Sequence, residues 1–345
     1  MKIKKIFFVG LGGAGQRHLR IFNELLAGGT EFSAYRSTRK TPLLNSNLTI
    51  NNKDTLEEKY KLRIFDSLEE GFENKPDLIV VSTPSSLHYD VVKKAAERKI
   101  NIFVEKPFSH NLDGFDEFKR LVLKNDLYFF VSFQRRFHPH LQKIKKVLSQ
   151  DGVGEIISAV FNVGSYIPAW HPYEDFKKLY ACRKGLGGGV LLTEIHELDL
   201  CYWYFGMPYS VYCSGGNLSD VKLDVEDTAH VTLNYKNYVV QANLCFMQKH
   251  TRRDLHIAGT EGYIEWDSRG NKLIIHNYKD GKEKVFSDPN YMNDDMFVSQ
   301  ASYFLKNFKK SDKSYLDIAK ASLTIVETAK KSMKEGKEIK INKHI

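Results

Sequence analysis

The chain has 345 residues, of which 42% are hydrophobic and 27% charged, a composition typical of a globular protein with more than one domain. Much of its formal net charge of +9 comes from lysines near the two ends, and there is neither zinc-finger spacing nor an arginine–aromatic stripe, so we expect no metal and no nucleic acid to bind. No stretch reaches the ~20 apolar residues of a membrane span, and the four cysteines are widely spaced. We therefore expect a cytoplasmic protein with reduced thiols and no membrane partner.

The first predicted elements are a strand over Lys2–Val9, a glycine-rich turn and a helix over Gln16–Leu26. The turn fits the pattern G-x-G-x-x-G, whose first glycine permits the tight turn. The second glycine lets the backbone approach a pyrophosphate, and the third lets the helix pack closely on the sheet. The alternative is a simple turn between a strand and a helix. The residues that we predict to bind a dinucleotide here are Gly10, Gly12, Gly13, Ala14 and Gly15.

The second strand is predicted over Glu31–Tyr35, and it ends in a basic segment. A dinucleotide site that prefers NAD usually carries an acidic residue at this point, which would repel a 2′-phosphate. Guanidinium groups bind phosphate with charge-assisted hydrogen bonds, so the segment favours NADP(H) over NAD(H). A basic surface loop is the alternative. The predicted 2′-phosphate contacts are Arg36, Ser37, Thr38 and Arg39, with Arg36 and Arg39 as the clamp.

The rest of the first half alternates short apolar strands with helices. Residues 45–61 are polar and predict a loose loop with a short helix. The further predicted elements are strands over Arg63–Phe65, Leu78–Ser82, Ile100–Val104 and Leu127–Phe133, a helix start at Ser67 and a helix over Tyr89–Glu97. This alternation predicts a doubly wound parallel sheet, the α/β architecture of a Rossmann dinucleotide-binding domain.

Two of these strands end in polar motifs. The strand ending at Ser82 runs into Thr83-Pro84 and the strand before Glu105 runs into Glu105-Lys106-Pro107. Ligands of open α/β sheets bind outside the carboxyl ends of the strands, so these motifs predict a site. For the tripeptide alone, a surface turn with a solvated ion pair is the alternative.

The second half has a different pattern, with strand candidates at short spacing joined by turn signals. They are Ile156–Val163, Tyr209–Cys213, Ala229–Tyr235, Tyr238–Cys245, Arg253–Gly259, Gly262–Asp267 and Lys272–Tyr278. This spacing predicts an α+β domain built on a mostly antiparallel sheet. We place the domain boundary so that residues 1–133 form the first domain and residues 134–345 the second, with C-terminal helices over Asp294–Phe308 and Ser314–Lys334 as scaffold.

One helical segment interrupts these strands. Three glycines, 187–189, predict a flexible approach to a helix that begins near Val190. Thr193, His196 and either Asp199 or Leu200 then fall on one helix face. Before the glycines, a loop containing Trp170 and Tyr180 suits the stacking of a sugar or a cyclitol, although ordinary loop packing explains it equally well.

Three motifs in this order, G-L-G-G-A-G-Q-R-H, V-S-T-P-S-S-L-H and V-E-K-P-F-S, resemble the glucose–fructose oxidoreductase, inositol dehydrogenase and MocA (GFO/IDH/MocA) family. The resemblance covers nearly the whole chain, with residues 41–62 the least typical part. It implies that the threonine–proline turn borders the cofactor and that the lysine contacts both nicotinamide ribose and substrate. The residues carried over as cofactor-binding are Ser82, Thr83, Pro84, His88, Glu105 and Lys106.

The same resemblance implies the catalytic residues. His196 becomes the general acid and base with Asp199 as its neighbour. The sequence leaves open whether His196 or Lys106 hands over the proton, and we assign the proton to His196 and the stabilisation of the developing charge to Lys106. Thr193 stands where many family members carry aspartate, so the usual lysine–aspartate–histidine set is incomplete. The predicted substrate-binding residues are Arg135, Trp170, Tyr180, Thr193 and Asp199.

The function implied is hydride transfer, with NADP(H) or NAD(H), to or from a secondary alcohol or ketone of a sugar, nucleotide sugar or cyclitol. Three alternatives are a NAD-dependent glycosidase of the same family, a non-catalytic NADP(H)-sensing regulator, and nucleic-acid binding through the basic ends. The antiparallel sheet of the second half predicts a homodimer or homotetramer.

Overall fold

The computed structural model describes residues 3–26, 28–37, 42–47, 49–170, 175–308, 310 and 312–341. The chain divides into two compact units. The first unit combines residues 1–132 with Phe297–Ala319, and the second combines Phe133–Met296 with residues 320–345. Among the helices of the described ranges, none is both long enough and apolar enough to cross a membrane.

The elements of the fold are numbered in chain order. The strands are β1 Lys5–Val9, β2 Glu31–Tyr35, β3 Arg63–Phe65, β4 Leu78–Val81, β5 Asn101–Glu105, β6 Phe129–Ser132, β7 Ile156–Tyr166, β8 Ser210–Gly216, β9 Thr228–Asn234, β10 Val239–Cys245, β11 Met247–Gly259, β12 Gly262–Asp267, β13 Lys272–Asn277, β14 Glu283–Ser287 and β15 Ile339–Lys340. The helices are α1 Gly13–Leu25, α2 Leu56–Tyr60, α3 Leu68–Glu73, α4 His88–Glu97, α5 Phe115–Lys124, α6 Pro139–Leu148, α7 Val190–Thr193, α8 Ile195–Phe205, α9 Asn293–Asn307 and α10 Ser314–Glu335.

The first unit is built on a six-stranded sheet with the order β3-β2-β1-β4-β5-β6. Every neighbouring pair is parallel. Strand β4 and the centre of β5, residues 102–104, are apolar, and both strands are buried along their length, as expected for parallel strands covered on both faces. The predicted doubly wound parallel sheet is therefore confirmed, and its direction of winding reverses between β1 and β4, where such sheets bind ligands.

Side-chain caps start the short helices of this unit. Ser67 accepts a hydrogen bond from the Glu70 N–H at the start of α3, where the sequence predicted a helix start. Thr55 and Glu58 form a reciprocal capping box that begins α2 within the polar segment 45–61. The short helix predicted for that segment is confirmed.

The segment Phe297–Ala319 belongs to the first unit, whereas the sequence-based division put it in the second. Its aromatic side chains complete the core beside β5 and β6. The Phe304 ring lies 5.2 Å from Phe103 and 5.4 Å from Phe130, and the Tyr315 ring lies 4.1 Å from Phe130. Aromatic rings bury large apolar areas, so this packing accounts for the return of the chain to the first unit.

The second unit is built on a nine-stranded sheet with the order β14-β13-β12-β11-β7-β10-β9-β8-β15. Strands β7 and β10 are parallel, and the other described pairs are antiparallel, which confirms the predicted mostly antiparallel sheet. The two edge strands, β14 and β15, were not predicted. One is exposed and partly charged and the other has two residues, so neither carries a clear apolar pattern.

Helix α8 is buried along its first two turns. The sequence predicted one continuous helix from Val190, but the backbone turns at Glu194, with φ −96° and ψ 29°, and separates α7 from α8. The predicted continuous helix is therefore wrong for Thr193, which lies in α7, whereas His196, Asp199 and Leu200 all lie in α8, at the predicted three- and four-residue spacing.

Candidate active site

The glycine turn between β1 and α1 is packed tightly against the end of β4. Gly10 has φ +91°, and a Cβ there would lie 2.8 Å from the Ser82 carbonyl oxygen. A Cβ on Gly15 would lie 2.3 Å from the Gly10 carbonyl oxygen. Only glycine fits at these two positions, because the obstructing atoms are backbone.

The space in front of α1 is open. A Cβ on Gly12, the residue before the helix, would meet no described atom within 4 Å. No described side chain caps α1, and its first turn, which begins with Gly13 and Ala14, contains no acidic residue. Backbone N–H groups at such a helix start suit an anionic pyrophosphate, so these residues fit a dinucleotide.

The turn after β4 contains two hydroxyl groups, of which one is bonded within the fold and one has no described partner. The Ser82 hydroxyl donates to the Gly10 carbonyl over 2.8 Å and so is used within the fold. The buried Thr83 Oγ1 has no hydrogen-bond partner among the described residues, and Pro84 begins the short 3₁₀ turn that follows. A buried hydroxyl without a partner is unfavourable, so Thr83 fits a group supplied by a ligand.

His88, which was predicted to contact the cofactor, has both ring nitrogens beside carbonyl groups of the fold. It is buried, with Nε2 2.7 Å from the Thr83 carbonyl oxygen and Nδ1 2.8 Å from the Pro107 carbonyl oxygen. Burial lowers the pKa of His88, although the two carbonyl groups act in the opposite direction. Since both ring nitrogens face carbonyl groups, His88 joins the two turns that end β4 and β5.

Glu105, which was also predicted to bind the cofactor, has its carboxylate bonded within the first unit. It is 8% exposed, and its carboxylate accepts hydrogen bonds from Ser132 Oγ (3.2 Å) and the Lys106 N–H (3.1 Å), while His18 Nε2 lies 2.5 Å from Oε1. Burial raises the pKa of Glu105, but the hydrogen bond and charge of His18, with Lys106 and Ser132, outweigh it and lower the pKa. The charged carboxylate therefore supports the backbone of Lys106, which is half-buried and precedes a cis peptide bond to Pro107.

The basic segment after β2 is partly described. The Arg36 side chain is 5% exposed, and its Nη1 lies 3.9 Å from Glu57 Oε1 on α2. Ser37 is exposed, whereas Thr38 and Arg39 lie outside the described residues. Of the predicted clamp, the structure thus describes Arg36, directly after β2. The Glu57 carboxylate lies near the longest distance at which two charged groups count as an ion pair.

Gln16 fastens the chain that follows the basic segment to the glycine turn. Its Nε2 donates to the carbonyl groups of Leu11 (3.1 Å) and Pro42 (2.8 Å). Its Oε1 accepts the Leu44 N–H over 2.8 Å. One buried amide therefore fixes residues 42–44 beside α1.

In the second unit, His196 lies in the first turn of α8 and is 4% exposed. Gln134 Nε2 lies 3.1 Å from His196 Nε2, and the Phe133 ring meets the imidazole edge-on at 6.0 Å. With the amide N–H donating, Nε2 is an acceptor, so the neutral ring carries its proton on Nδ1.

Two buried carboxylates flank His196 in the sequence. Glu194 and Glu197 both pair with Arg253 on β11, with 3.3 Å between Arg253 Nε and Glu197 Oε1. Burial lowers the pKa of Arg135, and Glu197 and Glu194 act against that shift. The buried Arg135 Nε has no acceptor among the described residues, so Arg135 fits its predicted role in binding a polar substrate.

Asp199, which was predicted to bind substrate, is bonded within the second unit. It is 1% exposed and accepts two hydrogen bonds from Arg136 and a third from Ser322 Oγ (3.1 Å). Since both oxygens are bonded within the protein, Asp199 holds α8 in place. Thr193, at the end of α7, is also buried.

The glycine run serves close packing rather than the flexible approach that we predicted. Gly189 has φ +103°, and a Cβ there would lie 2.3 Å from Glu226 Oε1, which also accepts the Leu191 N–H over 3.2 Å. A Cβ on Gly188 would lie 2.5 Å from the Tyr180 carbonyl oxygen. The residues at the start of α7 therefore pack against Glu226 and against the loop that contains Tyr180.

The predicted sugar-stacking residues are half-buried. Trp170 packs edge-on against Phe246 at 5.5 Å, and Tyr180 lies in a 3₁₀ turn. Residues 171–174 lie outside the described ranges. Both interpretations of this loop, substrate stacking and ordinary packing, stay open.

Several residues of these networks were not predicted: His18, Gln134, Arg136, Glu194, Glu197 and Arg253. For His18 a signal existed in the Q-R-H that follows the glycines, and for Gln134 and Arg136 in the Q-R-R after β6. Arg253 is 59 residues from Glu194 and carries no local signal.

Comparison with known families gives two matches. Residues 4–133 match the model of an oxidoreductase family with an NAD-binding Rossmann fold, and residues 141–265 match the GFO/IDH/MocA C-terminal domain. An uncharacterized oxidoreductase of Bacillus subtilis is 32% identical over 47% of this chain and 46% of its own length. The myo-inositol 2-dehydrogenase of Thermotoga maritima is 25% identical over 78% of this chain and 81% of its own length.

A solved structure has the same fold. Levoglucosan dehydrogenase in complex with NADH and L-sorbose superposes with a TM-score of 0.84 at 14% identity, covering 99% of this chain and all of that one (100%). At this identity the likeness concerns the fold alone.

Proposed function

Because the chain belongs to the GFO/IDH/MocA family of oxidoreductases, we propose that it interconverts a secondary alcohol and a ketone on a sugar, nucleotide sugar or cyclitol. The observation that carries the proposal is the open, uncapped start of α1 after Gly12. It belongs to the same unit as β5, the strand that Lys106 follows. The relative named as a myo-inositol 2-dehydrogenase supports this substrate class.

The residues of the first unit would hold a nicotinamide dinucleotide. Backbone N–H groups at Gly12, Gly13 and Ala14 would bind its pyrophosphate, and Thr83 Oγ1 would meet a polar group of the ligand. When bound, the dinucleotide supplies the hydride chemistry, which no side chain can provide.

The protein must then manage one proton and one developing charge. We assign the proton to His196, whose Nδ1 carries it in the neutral ring and can give it to a carbonyl oxygen or take it from a hydroxyl. We assign the stabilisation of the negative charge on that oxygen to the Lys106 ammonium, a compact cation whose backbone N–H is hydrogen-bonded to Glu105. Thr193 can hydrogen-bond a substrate hydroxyl without adding charge.

We further propose that NADP(H) is preferred. The support is Arg36 at the end of β2, where an acidic residue would mark an NAD site. Glu57 lies close enough to neutralise Arg36 partly in the absence of a ligand, so a 2′-phosphate would take over that pairing.

We also propose a cytoplasmic homodimer or homotetramer formed through the nine-stranded sheet. Aromatic rings lie across β11, β12 and β13, with Tyr263 and His276 stacked at 5.0 Å and His256 stacked on Tyr263 at 5.9 Å. His256 is 46% exposed at its side chain, and amphipathic rings of this kind are enriched in interfaces.

The first experiment is a titration of the purified protein with NADPH and NADH, followed by assays with keto-sugars, polyols and cyclitols. Gly12→Ala should fold normally, because its Cβ meets open space, yet bind the dinucleotide at least tenfold more weakly since the backbone can no longer approach a phosphate. Gly185→Ala, at another open glycine, is the matched control. Failure of the wild type to bind either dinucleotide would refute the proposal.

A further inference from the structure

The backbone of Lys106 is tied to α1 through two side chains. Resting on the function proposed above, we propose that His18 is a positioning residue that holds Glu105, and through it Lys106, in register with the helix that receives the dinucleotide. The contact joins residues 87 positions apart and brings His18 Nε2 within 2.5 Å of Glu105 Oε1.

The second half of the connection is the other carboxylate oxygen. Glu105 Oε2 accepts the N–H of Lys106 over 3.1 Å, so two successive hydrogen bonds lead from the imidazole to the lysine backbone. Hydrogen bonds to an ionised carboxylate are roughly twice as strong as neutral ones. The backbone of Lys106, from which its side chain extends, is therefore held in place after the end of β5.

Water cannot replace His18. Its side chain is 1% exposed, and the ring lies against Phe103 at 5.0 Å and Phe297 at 6.0 Å. A buried ionised group that loses its partner stays without compensation, and it either protonates or moves. Loss of the imidazole would consequently change both the charge and the position of Glu105.

The carboxylate is also held from β6. Ser132 Oγ lies 3.2 Å from Glu105 Oε1 and 3.0 Å from Gln300 Oε1. Glu105 thus makes contacts with α1, with β6 and with its own strand, and this leaves a single orientation for its side chain.

The location of His18 distinguishes a positioning role from a merely stabilising one. It lies in the second turn of α1, which begins at Gly13, directly behind the glycine turn. A helix transmits displacement along its axis, so a shift of α1 on binding a dinucleotide reaches Glu105 and then Lys106. The carboxylate that His18 contacts also accepts the backbone N–H of Lys106, so loss of the imidazole should affect Lys106 as well as stability.

The test compares His18→Leu, which removes the contact, with His18→Gln, whose amide can reach the same carboxylate oxygen. Asn101→Ala is the matched control, because Asn101 is buried at the opposite end of β5 and bonds the Asp77 carbonyl and the Tyr128 N–H, each at 3.0 Å. Two readouts are needed: kcat and KM in the oxidoreductase assay, and amide hydrogen exchange of the peptide that contains Lys106, followed by mass spectrometry.

We expect His18→Leu to lower kcat at least tenfold with KM changed less than threefold, and to accelerate exchange at Lys106 more than elsewhere. His18→Gln should regain kcat to within about threefold of the wild type, and Asn101→Ala should lose stability without local exchange at Lys106. Equal kcat in His18→Leu and Asn101→Ala, with no local exchange change, would overturn the proposal. If the wild type turns over no substrate, the proposed function fails, and the exchange readout alone still decides the role of His18.

Discussion

Arg136 binds Asp199 through two parallel hydrogen bonds of 2.8 Å each, from Nε to Oδ2 and from Nη2 to Oδ1. The carboxylate is 1% exposed at its side chain and the guanidinium 10%, so the pair is shielded from water. The Arg136 guanidinium also lies 5.5 Å from the centre of the Trp203 ring. Such geometry makes Asp199 a stabilising residue of the second unit.

We expect Asp199→Ala to lower the free energy of unfolding by about 3–5 kcal/mol, because it leaves the buried Arg136 charge unpaired. Urea denaturation measures this. Asp317→Ala, which breaks an exposed pair with Lys119, should cost no more than about 1 kcal/mol. A stable Asp199→Ala protein with a raised KM would instead restore the substrate-binding role predicted from the sequence.

Glu57 and Arg36 define a second test. Glu57→Gln should strengthen NADPH binding about three- to tenfold, because the carboxylate that lies near Arg36 no longer repels a 2′-phosphate, and NADH binding should stay unchanged. Glu69→Gln, which removes a carboxylate from an exposed pair with Lys94, is the control. Equal changes for both dinucleotides would argue against Arg36 as the 2′-phosphate ligand.

Gln134 should matter to the reaction through His196. Gln134→Leu removes the donor 3.1 Å from His196 Nε2, so the ring loses its fixed orientation and tautomer, and kcat should fall about tenfold. Gln142→Leu, at an exposed position of α6, should leave kcat unchanged. The steady-state rate as a function of pH provides a further readout, since a change confined to stability would leave the profile in place.

His138 predicts a pH dependence of stability. Its Nδ1 accepts the His140 N–H at the start of α6, and burial, with the charges of His140 and Arg135, lowers its pKa from 6.5 to about 3. In the unfolded chain His138 is protonated below about pH 6.5, whereas in the folded protein it stays neutral down to about pH 3. Protonation therefore favours the unfolded chain, and the free energy of unfolding declines as the pH falls from 6.5 to about 3.

The measurement is chemical denaturation at several pH values. His138→Asn keeps a capping side chain that does not titrate, so its stability relative to the wild type should rise as the pH falls from about 7 to about 4. A constant difference across that range would show that His138 does not carry the dependence.

Local sequence patterns predicted the framework well. The strands Glu31–Tyr35 and Arg63–Phe65 have the predicted limits, because alternation and apolar runs are properties of neighbouring residues. The family assignment from the three motifs is confirmed. Such motifs are informative because each combines several specific residue types within a few consecutive positions.

The hydrogen-bond partners of individual side chains were harder to predict from the sequence. His88, Glu105 and Asp199 belong to or follow recognisable motifs, yet their polar atoms are bonded within the protein. Some of their partners are distant in sequence: His18 is 87 residues from Glu105, and Ser322 is 123 residues from Asp199. Periodicity cannot reveal such pairs, nor the break at Glu194 between α7 and α8.

The return of Phe297–Ala319 to the first unit has a consequence for biosynthesis. A ribosome releases the amino-terminal segment long before it reaches Phe304, whose ring covers Phe103 and Phe130. During that interval the nascent sheet presents uncovered aromatic side chains, which are typical targets of chaperones. A gene fragment that stops at Ser132 would make this transient state permanent, so we expect the fragment to aggregate unless the segment Phe297–Ala319 is supplied.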